Sequence, residues 1–148
     1  MAEKAISLRQ RALGFLARRE YSRLELKRKL APHAEDEEEV EALLEDFQKR
    51  GWLSEERYTE QIIHARRGKY GTQRIVQELR EKGVGEEAIG AALPGLKESE
   101  LETARAAWAK KFGQPPVDAK DKARQVRFLA SRGFRMDVIF RVLGQDED

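Results

Sequence analysis

The sequence predicts an all-α protein made of three tandem repeats, each containing three helices. Four apolar residues stand at spacings of four, ten and four: Leu26, Leu30, Val40 and Leu44. The same spacings return 49 residues later: Ile75, Leu79, Ile89 and Leu93. A third copy follows at a further offset of 50, with one polar exception: Gln125, Leu129, Ile139 and Leu143. A period near 50 with a helical apolar rhythm is typical of repeat arrays, in which neighbouring units complete one another's cores.

Two further observations support this class. Gly83 and Gly133 each stand four residues after a repeated leucine, where a helix commonly ends in a left-handed glycine. Alternating β-branched and aromatic runs between turn dipeptides, the signal of strands, do not occur in the sequence. We therefore expect nine helices in units spanning residues 1–50, 51–96 and 97–148.

The first unit predicts three helices with clear boundaries. Ser22 and Glu25 form a capping box, which starts the second helix. Pro32 ends that helix, and Gly51 ends the third. The apolar positions of the first and third helices are Ala12, Leu13, Leu16, Ala17, Val40, Leu43, Leu44 and Phe47.

In the second unit, Ser54 is the expected N-cap of a helix that carries Tyr58, Ile62 and Ile63. The segment 68–72 (GKYGT) predicts a turn into a second helix, which ends at Gly83. A short third helix follows, with Ala88, Ile89, Ala92 and Leu93, and it is expected to end at Pro94-Gly95.

The third unit is expected to open with a capping box formed by Ser99 and Glu102. Its first helix reaches the linker 113–116 (GQPP), and the other two helices lie on either side of Gly133. The apolar positions are Leu101, Ala104, Trp108, Phe112, Val126, Phe128, Leu129, Val138, Ile139, Val142 and Leu143. The tail 145–148 is expected to fray.

Charge alternates along the chain with the same period. Six consecutive blocks, 1–30, 31–56, 57–82, 83–102, 103–135 and 136–148, carry formal charges of +6, −8, +4, −4, +7 and −3. Equivalent positions of successive repeats tend to lie on one side of an array, so the basic blocks could form one stripe. A generic solvated surface is the alternative, since 38% of the residues are charged.

Composition excludes several classes of protein. The chain has no cysteine, which rules out disulfides and thiolate metal sites and fits a reducing, cytoplasmic compartment. No apolar run approaches the ~20 residues needed to cross a bilayer. The only histidines, His33 and His64, lack metal-ligand spacing, and the acidic run 35–39 lacks the pattern of a calcium loop. We expect no catalytic, cofactor or metal site.

Basic residues are the remaining candidates for function. Lys and Arg on helices can neutralise phosphates, and an interleaved aromatic side chain can stack on a base. For Tyr70, an outward stacking role and inward packing over the turn are equally favoured; Trp52, Tyr58, Trp108 and Phe112 are expected in the core. The candidate contact residues are Arg23, Lys27, Arg28, Arg66, Arg67, Lys69, Tyr70, Arg74, Lys110, Lys111, Lys122, Arg124 and Arg127.

Several segments resemble the RecX regulatory proteins. In the second unit these are GWLSEERY (51–58), RRGKYG (66–71), RIVQEL (74–79) and KGV (82–84); in the first unit it is SRLELKRKL (22–30). The match covers residues 7–144 and is weaker in the third unit, where Gln125 holds an apolar position. The resemblance implies an elongated, curved array of helices that cross at right angles.

The resemblance also implies a non-catalytic bacterial regulator that binds filaments of the RecA recombinase along their helical groove. Such a protein inhibits ATP hydrolysis, filament extension and strand exchange, and it also contacts single- or double-stranded DNA weakly and without sequence preference. Arg66, Arg67, Lys69 and Arg74 match basic motif positions and are the better contact candidates, whereas Gly71, Ile75, Leu79 and Gly83 look structural. We expect a monomer without a membrane partner. The alternative is a helical module whose partner is DNA itself.

Overall fold

The computed structural model describes residues 5–144, and within this range it contains eight α-helices, one short 3-10 helix and no strand. The helices are α1 (Leu8–Arg18), α2 (Arg23–Leu30), α3 (Glu37–Lys49), α4 (Glu55–Arg66), α5 (Thr72–Glu81), α6 (Glu86–Lys111), α7 (Ala119–Ser131) and α8 (Met136–Val142), and the 3-10 helix Ala31–His33 follows α2. This confirms the predicted all-α class. The tail 145–148, which we expected to fray, lies outside the described residues.

The predicted capping residues begin the helices as expected. The Ser22 hydroxyl accepts from the Glu25 amide at 3.1 Å, and the Glu25 carboxylate accepts from the Ser22 amide at 3.1 Å. The Ser54 hydroxyl accepts from the Arg57 amide at 3.2 Å and caps α4. Each cap satisfies backbone N–H groups that have no partner inside the helix. These bonds explain why the sequence located the starts of α2 and α4 correctly.

Three hydrophobic clusters form the core, one for each unit. The repeated apolar residues fill them: Leu26, Leu30, Val40 and Leu44 in the first; Ile75, Leu79, Ile89 and the half-buried Leu93 in the second; Leu129, Ile139 and the half-buried Leu143 in the third. Burying a leucine or isoleucine side chain contributes roughly 1.5–3 kcal/mol. The apolar repeat therefore encodes the core, as predicted.

The polar exception Gln125 also lies in the core, with 1% of its surface exposed. Its amide oxygen accepts from the Trp108 indole nitrogen at 2.7 Å, and its amide nitrogen donates to the Gln114 carbonyl at 3.1 Å. A buried amide is tolerated when its hydrogen bonds are made. Gln125 therefore keeps the repeat position by pairing with Trp108 rather than by being apolar.

The expected end of a helix at Pro94-Gly95 was wrong. The helix α6 runs for 26 residues with Pro94 inside it, so the last helix of the second unit and the first helix of the third are one element. Proline removes one helical hydrogen bond, but Ile89, Leu96 and Ala104 are buried on both sides of it, and this packing holds the helix together. The described residues therefore contain eight α-helices instead of nine.

The capping box expected at Ser99 does not form, because Ser99 lies inside α6. Its hydroxyl donates to the Gly95 carbonyl at 3.1 Å, one turn earlier. Glu100 instead lies in the core with 2% of its surface exposed, and it accepts from the Arg135 amide at 2.8 Å and from the Arg135 guanidinium at 2.9 Å. A carboxylate from the first part of the third unit thus caps α8.

The second helices of the three units, α2, α5 and α7, follow one another in space, and the end of one helix contacts the start of the next. The Gly71 amide, at the start of α5, donates to the Arg132 carbonyl at 2.8 Å, and the Gln73 amide donates to the Gly133 carbonyl at 3.2 Å. The carbonyls that end α7 thus satisfy amides at the start of α5, whose N-cap Gly71 has no capping side chain. Because glycines meet here, the two backbones come very close.

A similar contact joins the second unit to the first. A Cβ atom on Gly83, after the end of α5, would lie 2.7 Å from Cβ of Leu24 at the start of α2. Across the same contact, the Lys82 ammonium lies 3.7 Å from the Glu25 carboxylate. The helices α7, α5 and α2 therefore lie one after another, and we call these three helices the helical column. The column therefore passes through all three units.

Candidate partner-binding surface

The turn between α4 and α5 carries the basic motif RRGKYG, and the end of α7 fixes its position. The helix α4 ends at Arg66, and α5 begins after Gly71. On the other side of the contact, the Arg74 guanidinium donates to the Ser131 carbonyl at 3.1 Å. The candidate surface is therefore built where the second and third units meet, and not by the second unit alone.

Tyr70 is half-buried and packs against the core of the second unit. The guanidinium carbon of Arg74 lies 4.2 Å from the centre of its ring, and that of Arg132 lies 5.4 Å away. Cations over an aromatic face are attracted by the ring quadrupole. The structure thus gives Tyr70 an inward packing role, and the outer part of its ring positions two arginines from different units. We call Tyr70, Arg74 and Arg132 the junction cluster.

Arg66 differs from the other motif cations because it has an acidic partner. Its guanidinium makes two hydrogen bonds of 2.8 Å to the Glu78 carboxylate on α5. Two parallel bonds of this kind are the strong form of an arginine–carboxylate pair. Arg66 thus links α4 to α5, while 37% of its side chain remains exposed to solvent.

Arg67 and Lys69 are exposed, and within residues 5–144 neither makes an ion pair or side-chain hydrogen bond. Beside them is an open cleft of about 670 Å³ along the outer side of α5. Its charged lining residues are Arg66, Lys69, Arg74, Lys82, Glu78 and Glu81. The four cations outnumber the two acids, and such a cleft suits carboxylates or phosphates of a macromolecule at the protein surface.

The first-unit candidates occupy different environments. Lys27 pairs with Glu37 at 3.0 Å and with Glu41 at 2.8 Å, both on α3. Arg23 also pairs with Glu41 and contacts the Gln48 side chain. Arg28 is exposed and has no such partner within the described part of the chain. The helix α3 therefore neutralises two of the three basic residues proposed for this unit.

The third-unit candidates are divided in a similar way. Lys110 and Arg127 are exposed and make no ion pair within residues 5–144. Arg124 pairs with Asp121 at 2.7 Å and lies over the Phe112 ring. Two lysines contact aromatic rings, Lys111 over Phe128 at 5.6 Å and Lys122 over Phe140 at 5.8 Å. The exposed cations without partners in this unit are thus on α6 and α7.

Of the four aromatic residues expected in the core, one is buried, two are half-buried and one is exposed. Tyr58 is buried, and burial followed by the nearby Glu25 carboxylate raises the pKa of its hydroxyl. Trp108 and Phe112 are half-buried. Trp52 is 40% exposed, so its assignment to the core was wrong. The turn after α3 directs the Trp52 ring to the surface. There the ring packs edge-on against Phe47, and the Arg50 guanidinium carbon lies 5.0 Å from its centre.

The main residue that sequence reasoning undervalued is Arg132, which belongs to the junction cluster. It stands next to the repeated Gly133, but 62 residues separate it from Tyr70, so spacing could not predict their contact. The described residues contain no group of three or more His, Asp or Glu side chains placed to hold a metal ion. Within the same range, no helix is long and apolar enough to cross a membrane.

Comparisons with known proteins match three family models along the chain. They describe the first, second and third three-helix domains of RecX, and they match residues 9–47, 54–93 and 98–143. Two relatives named regulatory protein RecX are similar over most of their length. The one from Ralstonia pickettii is 47% identical and aligns over 99% of this chain and 93% of its own. The one from Leptothrix cholodnii is 54% identical and aligns over 93% of this chain and 88% of its own.

Solved structures show the same fold. The crystal structure of RecX from Lactobacillus salivarius superimposes with a TM-score of 0.80 over 93% of both chains, at 16% identity. A second structure, of a regulatory protein RecX, gives a TM-score of 0.79 over 94% of this chain and 72% of the other, at 22% identity. The family models and the close relatives together show that this chain belongs to the RecX family.

Proposed function

We propose that this chain, as a regulatory protein of the RecX family, binds RecA recombinase filaments along their helical groove. Bound there, it inhibits ATP hydrolysis, filament extension and strand exchange, and it acts by occupying the groove rather than by catalysis. The observation that carries the proposal is the helical column: a cleft with four cations in its lining lies beside α5 and is bordered by Ser131 at the end of α7 and by Lys82 at the end of α5. The family resemblance supplies the identity of the partner.

The geometry of the column suits an extended partner. The Gly71–Arg132 hydrogen bond and the Arg74–Ser131 hydrogen bond fix the second unit against the third. The exposed Arg67 and Lys69 at this contact are therefore held on a rigid base, so little conformational entropy of the backbone is lost when they bind. A long surface with fixed cations can follow a repeating filament, whereas a single pocket could hold only one segment of it.

The organisation of the chain is part of this proposal. We take residues 1–50, 51–96 and 97–148 as the three units, acting together as one monomer. The boundary after residue 96 falls inside α6, which runs from Glu86 to Lys111. The second and third units therefore share a helix as well as the glycine contact, and we propose that they bind the filament as one body.

Reversing the charge of Arg67 and Lys69 tests the proposal. Both side chains are exposed and have no ion-pair partner within residues 5–144, so Arg67→Glu/Lys69→Glu should melt at nearly the wild-type temperature. We expect a large loss of inhibition when this variant is titrated into preformed RecA–single-strand filaments and ATP hydrolysis is followed. Attraction at these contacts becomes repulsion in the variant.

The matched control is Arg18→Glu/Lys49→Glu, which makes the same change of net charge at exposed residues of the first unit. This control should inhibit ATP hydrolysis like the wild-type protein. Equal inhibition by the wild type and by the folded Arg67→Glu/Lys69→Glu variant would exclude this turn as the contact. No inhibition by the wild type itself would overturn the proposed function.

The alternative function is direct binding of nucleic acid. Exposed cations without ion-pair partners in the second and third units favour it: Arg67, Lys69, Lys110 and Arg127. Each phosphate contact on single strands adds about 0.7 to the slope of log K against log salt. A steep slope on naked DNA, combined with unchanged ATP hydrolysis by RecA, would favour this alternative.

A further inference from the structure

One row of carboxylates distinguishes the first unit from the other two. Glu37, Glu41 and Glu45 are four residues apart along α3, which puts their side chains on one side of the helix. Lys27 lies between Glu37 and Glu41, at 3.0 and 2.8 Å, and Arg23 pairs with Glu41 and lies 3.9 Å from Glu45. We call Glu37, Glu41 and Glu45 the α3 carboxylate row.

The row is not part of the repeat. At the offset of 49 that relates the first two apolar quartets, its members correspond to Glu86, Gly90 and Pro94, so two of the three carboxylates are missing. At the offset of 99 that relates the first and third quartets, they correspond to Met136, Phe140 and Gly144, and none is acidic. The repeat apolar positions fold all three units, so the core does not require this row.

The two cations and three carboxylates leave this face with a formal charge of −1. The hydrogen bond from Lys27 and then that from Arg23 lower the pKa of the Glu41 carboxyl, so this carboxylate, which pairs with both cations, stays ionised at neutral pH. A nucleic-acid phosphate that approached Arg23 or Lys27 would compete with these carboxylates for the same cations. It would also meet the like charge of the carboxylates that remain, which disfavours the wrong partner.

We propose that the α3 carboxylate row is a specificity element that withholds Arg23 and Lys27 from nucleic-acid phosphates. It thereby removes two of the three basic candidates of the first unit from contact with DNA. The inference rests on the proposed function, because it concerns how a filament regulator limits its own affinity for naked DNA. It assigns to the first unit a different role from the one that its basic sequence alone suggests.

The test is Glu37→Gln/Glu41→Gln/Glu45→Gln, which keeps the side-chain shapes and removes three charges. Binding to a fluorescein-labelled oligothymidine is measured by anisotropy over a series of salt concentrations. Freeing two cations should raise affinity on the order of tenfold at low salt and steepen the salt slope by about 1.4, or about 0.7 for each new phosphate contact. Circular dichroism checks that the variant keeps its helices.

The chain offers a control with the same change of charge. Glu35, Glu38 and Glu39 stand at or just before the start of α3, are exposed, and pair with no cation in the described range. Glu35→Gln/Glu38→Gln/Glu39→Gln should change the affinity for the oligonucleotide by less than about twofold, since no cation is freed. An equal gain in both triple variants would show a general charge effect and overturn the proposal.

A second pair of variants identifies the cations themselves. Arg23→Gln/Lys27→Gln should leave DNA affinity unchanged in the wild-type background and should cancel the gain in the Glu37/Glu41/Glu45 variant. A loss of affinity in the wild-type background would mean that the two cations already contact DNA, and it would overturn the proposal. All these measurements use DNA without RecA, so they can fail while the filament test succeeds, or the reverse.

Discussion

Gly71 and Gly133 pack backbone against backbone at the contact between the second and third units. A Cβ atom on Gly71 would lie 2.4 Å from the Gly133 carbonyl oxygen, and one on Gly133 would lie 2.4 Å from Cβ of Arg74. Gly133 also has a φ of 87°, in the region that side chains other than glycine rarely adopt. Both glycines are therefore required by the approach of α7 to α5.

Gly71→Ala should destabilise the protein by about 1–3 kcal/mol, because the added methyl group meets backbone atoms that cannot move away without separating the units. Urea denaturation followed by circular dichroism measures this loss. The control is Gly14→Ala inside α1, where an added Cβ meets nothing within 4 Å. It should stabilise the protein by about 0.5–1 kcal/mol, since alanine favours the helix. Equal stability of the two variants would contradict the close contact.

Leu79→Ala should cost roughly 2–5 kcal/mol, since Leu79 has no exposed surface and its truncation leaves a cavity in the second cluster. Thermal or urea denaturation would detect the change. Leu13→Ala provides the comparison, because Leu13 is 39% exposed and loses much less buried area. A variant of Leu79 as stable as that of Leu13 would show that the second core does not depend on this residue.

Arg135→Ala should destabilise the third unit by about 3–5 kcal/mol, because the buried Glu100 carboxylate would keep only the bond from the backbone amide. Urea denaturation again measures the loss. Arg80→Ala breaks an ion pair of similar length with Glu86, but both of those side chains are well exposed. That control should leave stability almost unchanged. Similar losses in the two variants would contradict the buried character of the Glu100 pair.

Acid should destabilise the protein through Glu25, whose carboxylate lies 3.7 Å from the Lys82 ammonium at the contact between the first and second units. Burial opposes ionisation of this carboxyl, but the hydrogen bond from Ser22 and the charges of Arg19 and Lys82 outweigh burial and hold its pKa below the usual value. Because the pKa of Glu25 is lower in the folded state, its ionised carboxylate stabilises the protein at pH values above the unfolded pKa of about 4.3. That contribution is lost as pH falls through the folded value.

The Glu25→Gln variant tests this dependence. The wild-type protein should be more stable than the variant at neutral pH, and the difference in the free energy of unfolding should shrink as the pH falls below the unfolded pKa. Urea denaturation across this range gives the difference directly. Glu38→Gln serves as the control, because Glu38 has no ion-pair partner within residues 5–144. A difference between wild type and Glu25→Gln that stays constant with pH would exclude the proposed linkage.

The fold class, most helix boundaries and most core positions follow from local patterns in the sequence. Its apolar spacing selected Leu26, Leu79 and Leu129, and all three have no exposed surface. Capping residues such as Ser22 and Ser54 marked helix starts, since their hydrogen bonds reach only three residues along the chain. Periodicity and capping are local physical effects, so they can be read from neighbouring residues.

Which candidate residues have partners depends on contacts between elements that are distant in the sequence. Buried residues on both sides of Pro94 keep α6 continuous. The Trp108 indole, 17 residues away in the sequence, donates a hydrogen bond to the buried Gln125 amide. The third unit supplies Arg132 to the Tyr70 ring, although 62 residues separate the two. Such contacts depend on how units pack and not on local spacing. For the same reason, the sequence could identify the basic residues but could not tell which of them already pair with carboxylates inside the protein.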